Sequence, residues 1–140
     1  MPTAIQPFGV HSFVLHIPDI DAVGFFMSCT GLELSVDVLE YREGGNNEVI
    51  HRLPTALRYP NLVLSRGLTQ DDRLMKWIIA TPTEAQRKEI TLTLRTADAE
   101  RTWTFADAFP VKWIGPTIDS SGAGIAMETL EIAHAGLKVI

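Results

Sequence analysis

The chain has little cysteine, little positive charge and no long apolar run. One cysteine, Cys29, stands in 140 residues. It rules out an intrachain disulfide and a cysteine-clustered zinc site. Lysine and arginine total 12 against 17 acidic residues, for a net charge of −5. The basic residues are scattered, whereas binding to a nucleic-acid backbone needs them clustered. DNA or RNA is therefore not expected as a specific partner. No apolar stretch reaches the ~18–20 residues of a membrane helix, so no membrane anchor is expected. Met1 to Val10 has no basic residue before its apolar positions, which does not read as a secretory signal.

What is present is a hydrophobic share of 46% in a 15.5 kDa chain. That length fits one domain, expected over 1–140, able to bury a core without metal or disulfide. Short alternating runs broken by turn residues dominate, the mark of antiparallel sheet. Phe13, Leu15 and Ile17 alternate up to Pro18-Asp19. Leu32, Leu34, Val36 and Val38 give a strand with one apolar and one mostly polar face. It runs into Gly44-Gly45-Asn46-Asn47, which favours a tight reversal. Val49 to Leu53 leads to Pro54, and Tyr41 to Asn61 as a whole reads as a long polar loop. Leu62-Val63-Leu64 has the look of a buried strand.

Leu74, Trp77 and Ile78 predict the one helix, with Thr69 and Asp72 resembling a capping box. Asp71 and Asp72 are expected in its first turn, and Pro82 ends it. Ile90, Leu92 and Leu94 form the cleanest two-residue period, and Trp103 and Phe105 lie on the return strand. Val111 to Ile114 reads as a separate short strand between Pro110 and Pro116. Ser120 to Gly124 reads as a flexible connection. Ile125 to Ala135 is the last long strand, with Glu128, Leu130, Ile132 and His134 on one face. About seven or eight strands and one helix make a mainly β chain, an antiparallel β-sandwich or barrel.

No catalytic, cofactor-binding or metal site assembles from the residues. His11, His16, His51 and His134 lack metal-site spacing. Cys29 has apolar neighbours that favour packing over nucleophilic use. Gly122 and Gly124 lack the rest of a phosphate loop. Glu128 and Glu131, three apart on a strand, face opposite ways and cannot act as a pair. Trp77, Trp103 and Trp113 suit packing better than a ligand pocket, and Trp77 is expected to pack the helix onto the sandwich. An enzyme would need a convergent polar site. A small β-barrel ligand binder remains an alternative. Without such chemistry, the natural working surface is an exposed sheet edge.

The chain resembles the phage tail tube family, the inner-tube subunits of contractile phage tails and extracellular contractile injection systems. The residues that carry the likeness are Gly24-Phe25-Phe26, Thr30-Gly31-Leu32-Glu33, Tyr41 to Asn47, Leu53-Pro54, Tyr59-Pro60-Asn61 and Leu64 to Thr69. Trp77, Ala108 to Trp113, Gly115-Pro116 and Ala126 to Leu137 complete it. Cys29 and Ser65 depart from the family's usual residues. The resemblance implies a tail-tube-like sandwich that closes into homo-hexameric rings. The rings would stack into a hollow tube delivering DNA or protein cargo through its lumen. Its partners would be the surrounding sheath protein, baseplate or tube-initiator proteins and a terminator. Assembly in the bacterial cytoplasm into a phage tail or released particle is the matching expectation. Arg42, Glu43, Gly44, Gly45, Asn46 and Asn47 would lie at a subunit or ring interface. A tube-initiating or terminating paralogue, joining tube to baseplate or cap, shares the fold and is the alternative.

Overall fold

The computed structural model describes residues 13–20, 26, 28–45, 49–84, 86–122 and 124–139. Among them lie nine strands and one helix. They are β1 (Phe13–His16), β2 (Ser28–Thr30), β3 (Ser35–Arg42), β4 (Ile50–Arg58), β5 (Leu62–Gly67), α1 (Arg73–Ala80), β6 (Lys88–Arg95), β7 (Glu100–Ile114), β8 (Met127–Ala133) and β9 (Gly136–Val139). Every strand pairing is antiparallel.

Two layers share one strand. β1, β6, β7 and β9 form the first, and β2, β5, β8 and β7 the second. β7 belongs to both because it is fifteen residues long. Its first part pairs with β6 and β9, and the stretch from Phe109 to Ile114 pairs with β8. The register shifts near Asp107, whose φ is 50°, and again between Pro110 and Lys112. Bulges of this kind bend a strand and increase its twist, which lets it cross from one layer to the next. The sequence predicts two strands here, parted at Pro110. The proline instead lies buried inside one strand beside the bulge, where a missing N–H is tolerated.

The core lies between the layers. Leu15, Ile17, Ile90, Leu92 and Phe105 meet Leu62, Leu64, Leu130 and Ile132, and Leu74 and Trp77 of α1 join them. Fully burying each such side chain is worth roughly 1.5–3 kcal/mol. Trp77 packs the helix onto the sandwich as expected, and its Nε1 donates to the Gln86 carbonyl at 3.0 Å. The helix begins three residues later than a cap at Thr69 implies, so neither Asp71 nor Asp72 is in the first turn. Asp72 is the N-cap without a side-chain cap bond. Asp71 Oδ1 instead accepts from Arg73 N at 2.9 Å, and Thr69 Oγ1 accepts from Asp71 N at 3.2 Å.

The larger departure is at β3 and β4. The sequence reads 41–61 as a polar loop and turns the Leu32–Val38 strand toward the core. Both segments form one two-stranded hairpin, a sheet of its own. Leu32 and Leu34 precede its first strand. Pro54 sits within β4 opposite Val38, because each strand of the pair has a free edge where a proline costs no ladder bond.

Candidate assembly interface

The hairpin stands off the body as an arm. β3 and β4 contact each other and make no substantial contact with another strand or the helix. None of the buried core residues comes from it. Yet Val36, Val38, Leu39, Leu53 and Leu57 are each 45 to 54% exposed, and Tyr41 and Ile50 are exposed as well. The strand period puts Val36 and Val38 on one face and Leu39 and Tyr41 on the other. The arm is thus apolar on both faces. A lone two-stranded hairpin is marginally stable in water, and unpaired strand edges are templates for further pairing.

Polar pairs fix the arm's register. Arg52 Nε lies 3.3 Å from Glu40 Oε1, directly across the ladder, and Arg58 Nε donates to Asp37 Oδ2. Tyr41 and His51 stack with ring centroids 4.9 Å apart. Exposed ion pairs contribute only ~0–1 kcal/mol each, so they align the strands more than they hold them.

The arm's root is rigid. Gly31 has φ +95°, and a Cβ there would lie 2.1 Å from the Asn61 carbonyl oxygen. Glycine is required by both facts. On the other leg, Asn61 Nδ2 donates to Glu131 Oε1 at 2.9 Å. Tyr59 packs on His134, centroids 5.5 Å apart, and His134 meets Phe105 edge-on at 5.0 Å.

Four of the expected interface residues, Arg42, Glu43, Gly44 and Gly45, lie at the opposite end, the tip. Arg42 closes β3 in register with Ile50. Glu43 follows, its Oε1 3.3 Å from His51 Nε2. Gly44 and Gly45 turn the chain, Gly45 with φ +87°. Asn46 and Asn47 lie outside the described residues. Sequence reasoning placed this tip and missed the apolar shaft behind it. The available signal was Val38-Leu39, adjacent apolar residues that cannot both face one core.

Elsewhere the chemistry is structural. Arg66 and Glu128 form a buried ion pair across β5 and β8, and Trp113 Nε1 donates to Glu128 Oε2 at 3.2 Å. Burial pushes the Cys29 thiol up to about 11, away from nucleophilic use. Among the described residues no cluster of His, Cys, Asp and Glu could hold a metal ion, and no helix is long and apolar enough to cross a membrane.

The described residues form a β-sandwich from which an arm with exposed apolar side chains extends. Residues 10–138 match the family described as T4-like virus tail tube protein gp19, and the chain belongs to that family. No curated protein matches it by sequence. A solved structure of the tube-terminating cap of the anti-feeding prophage is similar, with TM-score 0.86 and 24% identity, over 100% of this chain and 95% of that one. The sheath/tube terminator structure of an extracellular contractile injection system, PVC, gives 0.85 and 26%, over 99% of both chains. The sheath-tube complex of the same system gives 0.83 and 25%, over 96% and 91%. The chain is a tail tube or terminator-like component of this kind of particle, a structural role and not an enzymatic one.

Proposed function

We propose that residues 1–140 act as one unit, the repeating inner-tube subunit of a contractile tail or injection particle. Copies close into hexameric rings, and the rings stack into a hollow tube for DNA or protein cargo. The sheath protein surrounds it, and initiator and terminator proteins bound its ends. Assembly takes place in the bacterial cytoplasm. The observation that carries this reading is the arm, whose apolar side chains remain exposed among the described residues. A second copy covers them. The tip residues Arg42, Glu43, Gly44, Gly45, Asn46 and Asn47 lie at the contact between copies.

The likeness to a tube terminator over 99% of both chains favours one second reading, a subunit that ends the tube. Negative-stain microscopy across a concentration series separates the two. Hollow rods are expected from the wild type, and monomers from Val38→Asp/Leu53→Asp. Isolated rings at every concentration point to the terminating paralogue. Wild-type protein that stays monomeric throughout overturns self-assembly.

A further inference from the structure

The register of β5 with β8 defines two ends of the second layer. Leu62 opposes Ile132 at one, and Gly67 opposes Met127 at the other. The arm leaves at the first end, between Thr30 of β2 and Leu62 of β5. The connection 115–126 leaves at the second, between Ile114 of β7 and Met127 of β8. Leu68 N donates to the Ala126 carbonyl there at 2.9 Å. Five residue steps part the ends, about 17 Å at ~3.3 Å per step.

This connection also carries large apolar side chains that stand in water, as do single positions such as Ile79 of α1 and Val139 of β9. Ile118 is 86% exposed and Ile125 82%, the most exposed large hydrophobics among the described residues. Asp119 is the only ionisable residue between 115 and 126. Ser121 donates to its Oδ1 from the backbone N at 3.0 Å and from Oγ at 2.8 Å. Those bonds hold the carboxyl below the usual carboxylate range, so it is an anion at neutral pH. On the arm, Arg42 sits between Tyr41 and the turn, opposite Ile50, and makes no ion pair with another described residue. One surface is apolar with a fixed anion; the other is apolar with the Arg42 cation, beside Glu43, whose carboxylate is turned to His51.

We propose that the arm tip, through Tyr41, Arg42 and Ile50, docks on the Ile118–Asp119–Ile125 connection of a second copy in the adjoining ring, with Arg42 facing Asp119. The proposal rests on the tube-subunit reading and names the arm's receptor. The arm's root and the receptor lie at opposite ends of one layer, and the tip and the receptor are unlike surfaces. Contacts between unlike surfaces build a filament when successive copies do not close into a ring. The charge pair sets the register of the contact, and the apolar groups supply its burial.

Four forms, assembled alike and viewed by negative stain, test this. Wild type forms rods. Ile118→Asp/Ile125→Asp forms rings that do not stack. Arg42→Asp loses rods, and Arg42→Asp/Asp119→Arg regains them. Rods of wild-type length from Ile118→Asp/Ile125→Asp overturn the receptor and leave the tube reading standing. Wild type without rods overturns both. Disulfide trapping guards against a folding defect. Arg42→Cys and Asp119→Cys proteins are mixed and oxidised, and a mixed dimer is expected. Absence of that dimer also overturns the proposal.

Discussion

Two residues of this chain carry constraints that a substitution would expose. Gly45 holds φ +87°, yet nothing stands within 4 Å of where a Cβ would be. A valine there meets no neighbour, so its cost of roughly 1–2 kcal/mol is conformational. Gly45→Val is expected to diminish rod formation while the melting of the body is unchanged, and Gly44→Ala to affect neither. Undiminished rods from Gly45→Val would show that the tip's shape does not matter. Glu128 is the other case. Replacing it by alanine leaves the Arg66 charge buried without its carboxylate, a cost of about 3–5 kcal/mol. Urea denaturation should show this loss. Arg66→Met/Glu128→Leu should recover most of it, because an apolar pair removes both charges from the interior. An equally unstable double variant would mean that the pair holds more than itself.

At the scale of elements, the junction of β8 with β9 ties the arm to pH. Burial lowers the pKa of His134 below its ordinary 6.5, against backbone groups of Pro60 and Gly136 that raise it. The unfolded chain takes up the proton first on acidification. The stability that the neutral ring contributes is therefore complete above about pH 6.5 and lost as pH falls through the lower folded value. The melting temperature of wild type should drop more between pH 7 and 5 than that of His134→Gln. Parallel curves would refute the linkage.

Most elements can be read from the sequence because they have one buried face. Ile90-Leu92-Leu94, Leu62-Leu64 and Leu130-Ile132 alternate as core strands must. β3 escapes this logic. Its Val36 and Val38 obey the same period, yet both stand about half exposed, with no described strand or helix packed over them. Pro54 and Pro110 mislead for a related reason. A proline ends a strand only where its N–H is needed, and here one faces a free edge and the other a bulge. The reversal at Gly44-Gly45 is legible through the glycine pair. The shaft and the 115–126 connection are not, since exposure is a property of the fold and not of the local pattern.

At the scale of the molecule, the exposed apolar surface includes the arm and the 115–126 connection, beside scattered positions such as Val14, Ile79 and Val139. Both are open in the single chain. Assembly should close them together. A dye that fluoresces on apolar surface is expected to bind the dilute protein and to be released as concentration rises and rods appear. Signal per chain that stays constant through assembly would place the contacts elsewhere.

The continuity of β7 has a mechanical side. Two sheets held together only by side chains can slide past one another when pushed. Here a single covalent strand, about 50 Å long at ~3.3 Å per residue, is woven into both. Shear between the layers must strain main-chain bonds as well as slide packed side chains. A rod built of such units resists axial load through its backbone, and its compliance is left to the arms between units.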